Sequence, residues 1–153
     1  MALASPMAAV ADTGKVTATP LAFKTVVPGG IESARMGLVS ALQGQNYMII
    51  NVLDVQKGLE NQYISAEPTL LIEFINLAKA YKVTESNKRF ELFAPLRAAL
   101  FQRQDKVIIF MLRPRFIKTT LLATGLSADA QSVLDGFDSS LREVMKTVAS
   151  GGF

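Results

Sequence analysis

Residues 95–113 read PLRAALFQRQDKVIIFMLR, two apolar runs separated by the polar residues Gln104 and Asp105. Two such runs on either side of a two-residue polar break are typical of a tight antiparallel hairpin. Parallel strands need a crossover of about a dozen residues or more, and this break leaves no room for one. The stretch therefore favours an α+β domain with an antiparallel sheet over a parallel, doubly wound fold.

The segments around this hairpin alternate between strand and helix periodicity. Strands are predicted over residues 16–27, 47–55 and 69–77, and helices over residues 31–44 and 78–86. The clearest pattern follows Ser127, where apolar residues recur at helical spacing from Ala130 to Val148. Pro114 ends the last strand, and residues 118–126 are predicted to form a linker. This order of elements predicts an antiparallel sheet covered on one face by helices.

The composition excludes much catalytic chemistry. The 153 residues contain neither histidine nor cysteine, which removes the side chains most used for proton transfer at neutral pH, thiol nucleophiles and soft-metal ligands. The thirteen acidic residues are scattered and show no calcium-loop spacing. We therefore predict no catalytic residue, no metal site and no cofactor. A chain that is 50% hydrophobic and 19% charged is too apolar for disorder and too interrupted by charge for a transmembrane segment.

Residues 1–11 read MALASPMAAVA and differ from the rest of the chain. Ala9, Val10 and Ala11 form the small-x-small pattern that signal peptidases accept, although a basic start and a long apolar core are missing. Two interpretations stand. The segment is a remnant of a signal peptide on an exported, periplasmic protein, or it is an alanine-rich terminus of a cytoplasmic one. Residues 12–153 are then a single α+β domain.

The charges are segregated along the chain. Residues 79–118 carry ten basic and three acidic residues, a balance of +7, and the rest of the chain has a balance of −4. If the fold gathers these basic residues on one face, that face attracts an anionic partner such as an acidic protein surface or a membrane complex. The predicted partner-binding residues are Lys79, Lys82, Arg97, Arg103, Arg113 and Arg115. The alternative is that they are solvated and discourage edge pairing.

Nucleic acid is not predicted as the partner. Single-stranded nucleic acid is bound by aromatic side chains that stack on its bases. The candidates for this role, Phe101 and Phe110, lie in apolar strands, where packing in the core is the expectation.

The central part of the chain resembles a known family, and the residues that carry the resemblance are Asn76, Ala78, Tyr81, Phe90, Glu91, Leu92, Phe93, Pro95, Arg97, Met111, Leu112, Arg113 and Pro114. Upstream, Val27, Gly30 and the run from Leu53 to Gln56 fit the same pattern. Over about residues 23–114 the chain resembles the bacterial and archaeal family called domain of unknown function 302. The resemblance implies a β-α-β(4)-α fold with the saddle layout of TATA-binding proteins, and it implies dimers.

Two positions depart from that family's pattern. Members often carry Cys-Asn-Pro after the third strand and Pro-Cys-Arg in the fourth. This chain has Ile75, Asn76 and Leu77 in the first place and Pro95, Leu96 and Arg97 in the second. The resemblance therefore implies that any thiol chemistry of the family is absent here.

Three hypotheses about function follow. The preferred one is a non-catalytic binding or assembly module that docks through its basic central half onto an anionic partner or a larger membrane or redox complex. The second is a small-molecule binder or enzyme with an apolar pocket on the concave sheet face, lined by Tyr47, Glu73, Asn76 and Arg97. Glu73 suits acid–base chemistry only if it is buried, and strand alternation predicts that it faces solvent or pairs with a basic neighbour. The third, motivated by the apolar strands, is a self-assembling structural protein.

Overall fold

The computed structural model describes residues 13–151, so the interpretations of residues 1–11 lie outside the described residues. The strands are β1 (Thr17–Ala18), β2 (Ala22–Pro28), β3 (Met48–Asp54), β4 (Thr69–Ile75), β5 (Leu96–Arg103) and β6 (Lys106–Leu112). The helices are α1 (Ile31–Gly44), α2 (Val55–Glu60), α3 (Leu77–Ser86), α4 (Pro114–Leu122) and α5 (Ala128–Ala149), with a 3₁₀ helix at Lys88–Leu92.

The six strands form one sheet in the order β1-β2-β6-β5-β4-β3, and every pair of neighbours is antiparallel. The predicted α+β fold is thus confirmed. The predicted hairpin is β5–β6, in which Arg103 stands opposite Lys106 across the turn. The single strand predicted over residues 16–27 is divided, because the backbone N–H of Thr19 donates to the carbonyl of Ala22 and closes a turn between β1 and β2.

Helices cover one face of this sheet and form the core with it. Along β6, Ile109 and Met111 are fully buried, whereas Phe110 between them is exposed, because successive side chains in a strand point to opposite faces. The buried residues meet apolar residues of α1, α4 and α5, including Leu38, Ile117 and Leu141. The other face has no helix of the described chain on it, and we call it the open face.

The predicted helix starts are confirmed by their caps. Asn76 accepts a hydrogen bond from the backbone N–H of Lys79 and caps α3, and Ser127 accepts one from Ala130 and caps α5. Asp54 caps α2 in the same way. These side chains satisfy N–H groups that lack a partner inside the helix.

The linker predicted over residues 118–126 is wrong for its first half, which belongs to α4. Pro114 ends β6 as expected, but it also stands at the start of a helix, where its fixed φ fits and its missing N–H costs nothing. Ile117 and Leu121, one helical turn apart, are both buried. This spacing was the available signal for the helix.

Both edges of the sheet are irregular. One edge is β1, which has two residues, and the other is β3. The pairing of β3 with β4 shifts between Ile49 and Asn51, as at a β-bulge. Short or bulged edge strands are poor templates for further strand pairing.

Candidate functional site

A cleft of about 890 Å³ lies between α3 and α5 on the helical layer. At one end the backbone N–H of Ser127 donates to Ser86 Oγ at 2.8 Å, and at the other Tyr47 Oη lies 2.5 Å from Ser140 Oγ. The two helices therefore run antiparallel along it. We call it the helical cleft, and its lining includes Tyr47, Asn76, Lys79, Lys82, Glu85, Asp129, Ser132 and Ser140.

Tyr47 forms part of the base of the helical cleft. Its ring packs edge-on against Phe74, with centroids 5.4 Å apart, and also contacts Phe137. Ser140 Oγ also lies 3.2 Å from the carbonyl oxygen of Phe137, and either hydroxyl can be the donor in the Tyr47–Ser140 hydrogen bond. Burial raises the pKa of Tyr47 to about 12, and the hydrogen bond with Ser140 offsets only part of that rise. The phenol therefore stays protonated at neutral pH and holds the chain just before β3 against α5.

Asn76 has both ends of its amide engaged. Its oxygen accepts from the N–H of Lys79 at 3.1 Å, and its nitrogen donates to the carbonyl of Asn46 at 3.2 Å. These bonds fix the start of α3 against the turn before β3. Asn76 therefore shapes one end of the helical cleft.

The other two residues of the predicted pocket lie elsewhere. Glu73 and Arg97 are directly opposite each other on β4 and β5, and Arg97 Nη2 lies 2.9 Å from Glu73 Oε1. Both side chains are on the open face, whereas Tyr47 and Asn76 line the helical cleft. The predicted four-residue pocket is thus divided between two sides of the sheet. Strand alternation predicted that Glu73 faces solvent or pairs with a basic neighbour, and the ion pair with Arg97 is the second of these outcomes.

The six predicted partner-binding residues do not share one face. Arg97 pairs with Glu73, Arg103 lies 3.6 Å from Glu67, and Arg115 lies 3.9 Å from Asp135. Lys79 and Lys82 line the helical cleft and have no ion-pair partner within residues 13–151. Acidic residues from outside the basic segment therefore offset much of its charge, which a charge map of the sequence alone does not reveal.

Arg113 is buried and unavailable to a partner surface. Its Nε and Nη2 donate to the two carboxylate oxygens of Asp138 at 3.1 and 2.8 Å, and Nη1 donates to the carbonyl of Thr19. Its guanidinium also lies 4.7 Å from the centroid of the Phe23 ring. The assignment of Arg113 to partner binding is therefore corrected, since all of these contacts are internal.

The carboxylate of Asp138 is held in its charged form. Burial acts to raise the pKa of Asp138, but the hydrogen bonds from the Arg113 guanidinium and from the backbone N–H of Arg115 outweigh it, so the pKa lies below its ordinary value. The hydrogen bond to Asp138 likewise raises the pKa of Arg113. The role of Asp138 was not predicted from the sequence. The signal was its helical spacing from Leu134 and Leu141, which places a carboxylate on the buried stripe of α5.

The open face is apolar in its centre. One row of directly opposed residues crosses five strands: its members Leu53, Leu71, Ala99 and Phe110 are apolar, and it ends at Lys24 on β2. The next row contains Phe101 and Ile108, and the rings of Phe101 and Phe110 meet edge-on with centroids 6.1 Å apart. We call these six residues the open apolar face. Leu53 is 50% exposed and Phe110 is 39% exposed, so the expectation that Phe101 and Phe110 pack in the core is wrong.

Two further observations concern the described part of the chain. Among residues 13–151, no three acidic side chains lie close enough together to hold a metal ion. Within the same residues, every helix is too short or too polar to cross a bilayer.

Comparisons with known proteins agree with the resemblance seen in the sequence. The family model "Domain of unknown function DUF302" matches residues 23–148, and the chain therefore belongs to this family. An uncharacterized conserved DUF302 protein from Bacillus stearothermophilus, known from a crystal structure, is 15% identical, with a TM-score of 0.71 over 80% of this chain and 94% of that chain. At this identity the likeness shows the fold alone. None of the curated proteins compared with the chain matches it.

Proposed function

We propose that this member of the DUF302 family is a non-catalytic binding or assembly module, and that its open apolar face pairs with the same face of a second copy. The observation that carries the proposal is the row of apolar side chains across four strands, on which no helix of the described chain lies and in which Leu53 and Phe110 are exposed. Water-exposed apolar patches of this kind favour association. This proposal moves the docking surface from the basic residues to the open face.

The size of the face fits a dimer. The five longer strands have seven or eight residues each. At standard strand spacing they present on the order of 600 Å² per copy. Two such faces bury about 1,200 Å² in total, at the lower end of what specific interfaces bury. Twisted sheets that pack face to face at an angle of about 30° provide the geometry.

The charges near this face are arranged around its apolar centre. Glu73 and Arg97 pair beside it at 2.9 Å, and Glu67 and Arg103 pair beyond it at 3.6 Å. Each of these charges already has an opposite partner, so they give little attraction to an anionic partner. The rows that contain Phe101 and Phe110 are left for apolar contact, which suits a second copy better than an acidic surface.

The two strongest candidates for acid–base catalysis, Tyr47 and Glu73, both form contacts within the fold. Burial raises the pKa of Tyr47 to about 12, well above the range in which a general base works. Glu73 is bound to Arg97 on the open face. These contacts support the non-catalytic part of the proposal.

The test replaces one exposed apolar residue on each side of the molecule. We expect Phe110→Lys to weaken self-association at least tenfold in sedimentation equilibrium, because a charge inside the interface has to be desolvated. Met36→Lys is the matched control, since Met36 is also exposed but lies on α1. Leu53→Lys, at the other end of the same row, should act like Phe110→Lys.

Other outcomes have definite meanings. Wild-type protein that stays monomeric at high concentration contradicts the proposal. Self-association that survives Phe110→Lys and Leu53→Lys but is lost in Ile50→Lys, on the edge strand β3, indicates pairing through the sheet edge and also contradicts it.

Export to the periplasm is also a proposal, and it is supported by the small-x-small pattern at Ala9, Val10 and Ala11. Cleavage after Ala11 should leave a protein that begins at Asp12 in the exported fraction. An intact mass that includes residues 1–11, found in the cytoplasmic fraction, contradicts export.

A further inference from the structure

We propose that the helical cleft binds a short zwitterionic ligand of peptide-like chemistry, with its anionic end at Lys79 and Lys82 and its cationic end at Glu85 and Asp129. The cleft lies in the helical layer, on the opposite side of the sheet from the open apolar face, so this inference does not depend on the proposed dimer. The observation behind it is the order of charges along one groove of about 890 Å³.

The basic end is formed by α3 alone. Lys79 and Lys82 are three residues apart, a spacing that places both on one side of a helix. Both are exposed and line the cleft, and neither has an ion-pair partner within residues 13–151. By contrast, Lys118 and Lys146 are paired with Asp135 and Glu143. The cleft therefore presents two ammonium groups that are available to an external carboxylate.

The acidic end is formed by both helices. Glu85 is near the end of α3 and Asp129 is in the first turn of α5. The hydrogen bond between Ser127 N–H and Ser86 Oγ brings these two helix ends together. Neither Glu85 nor Asp129 forms an ion pair within the described chain. Two carboxylates at one end of a groove attract a cation such as a terminal ammonium group.

The distance between the two ends sets the length of the ligand. Lys79, at the far end, and Glu85 are six residues apart on α3, or about 9 Å along the helix axis, and Lys82 lies midway between them. A fully extended chain of three residues spans about 10 Å. A tripeptide with free ends therefore has its charges at the spacing that the cleft offers.

The middle of the cleft can bind the uncharged part of such a ligand. Ser132 and Gly136 lie four residues apart on α5 and line the wall opposite α3. The absence of a side chain at Gly136 leaves space beside the ligand, since a Cβ there would meet nothing within 4 Å. The Ser132 hydroxyl is exposed and can donate or accept hydrogen bonds with peptide groups.

The experiment compares three probes that differ only in their terminal charges. Trialanine is a zwitterion, N-acetyl-trialanine carries only the carboxylate, and trialanine amide carries only the ammonium group. Each is titrated into the full protein labelled with ¹⁵N, and amide shifts are followed. We expect trialanine to bind most tightly and to shift amides of α3 and α5 that border the cleft.

Paired variants test each end separately. The double variant Lys79→Gln/Lys82→Gln should weaken trialanine binding about fivefold or more and remove the preference for trialanine over its amide. The double variant Glu85→Gln/Asp129→Asn should remove the preference for trialanine over the N-acetyl form. Lys57→Gln, an exposed lysine on α2 outside the cleft, is the control and should leave all three affinities unchanged.

Several results overturn the inference. These are equal binding of the three probes, shifts confined to residues outside the cleft, no shift at 10 mM trialanine, or binding that neither double variant changes. An unchanged spectrum elsewhere shows that each variant is folded, so a loss of binding is then specific to the removed charges. Loss of the dimer in Phe110→Lys does not affect this test, because the two surfaces share no residue.

Discussion

The two faces of the sheet are built from similar residues, yet helices cover only one of them. Ile109 is fully buried against the helices, whereas its neighbour Ile108 lies on the open face beside Phe101. An antiparallel sheet with one wet face normally alternates apolar and polar residues, and strands apolar on both faces are typical of sheets covered on both sides. The apolar open face is therefore typical of a sheet with a second covering layer, and in the proposed dimer that layer is the partner copy.

The largest difference in stability is expected between variants of two ion pairs, one on each side of the sheet. Arg113–Asp138 and Arg97–Glu73 have nearly equal lengths, 2.8 and 2.9 Å, but only the first is buried. Asp138→Ala should lower the free energy of unfolding by about 3–5 kcal/mol, because it leaves a buried guanidinium without its partner. Glu73→Ala should cost less than about 1 kcal/mol. Urea denaturation measures both.

The same pair should be sensitive to acid. Because the folded pKa of Asp138 lies below its unfolded value near 3.8, its contribution is complete above that value and is lost as the pH falls through the folded pKa. The stability difference between wild type and Asp138→Ala should therefore shrink below about pH 4. If Asp138→Ala and Glu73→Ala lower the free energy of unfolding equally at pH 7, the buried pair is no more stabilising than the exposed one and the comparison fails.

A second contrast uses two adjacent isoleucines. Ile109→Ala should lower the free energy of unfolding by about 2–5 kcal/mol, because it opens a cavity between the sheet and the helices. Ile108→Ala leaves no enclosed cavity, and in dilute protein it should cost about 1 kcal/mol or less. Thermal and urea unfolding at low concentration check both values. A large cost for Ile108→Ala that appears only at high concentration would sharpen the comparison, since it indicates burial of the open face in a dimer.

The smallest contrast concerns two tyrosines at high pH. The folded pKa of Tyr47 is raised to about 12 from 10.0, so its contribution is complete below pH 10 and is lost as the pH rises through about 12. Between pH 10 and about 12, the free energy of unfolding of the wild type should fall by roughly 2–3 kcal/mol more than that of Tyr47→Phe. Tyr63→Phe, at a fully exposed tyrosine, should behave like wild type. Absorbance at the tyrosinate band and unfolding curves report the two effects.

Most elements of the fold could be predicted from the sequence, but α4 and the division of β1 from β2 could not, nor could the covered face of the sheet. Periodicity and capping residues such as Ser127 predicted α1, α3 and α5, and the break at Gln104 predicted the hairpin. The run VIIFML at residues 107–112 is apolar at every position, so alternation could not tell that Ile109 faces the helices and Phe110 does not. A pattern of period two identifies the buried face only where the other face is polar.

The candidate site depended on contacts between distant parts of the chain. Tyr47 and Ser140 are 93 residues apart and Arg113 and Asp138 are 25 apart. The sequence named Tyr47, Asn76, Lys79 and Lys82 but assigned them to two different sites, and the packing of α3 on α5 brings them together. It also assigned a balance of +7 to residues 79–118, of which the fold offsets four charges with Glu67, Glu73, Asp135 and Asp138.

The irregular edges of the sheet set a limit on how large an assembly can grow. A contact between two open faces closes after two copies, since the remaining side of each copy is covered by helices. Strand addition at the edges would leave a free edge on every new copy and could continue into fibres. The two residues of β1 and the shifted register of β3 disfavour such strand addition, so the proposed face-to-face contact ends in a closed, finite particle.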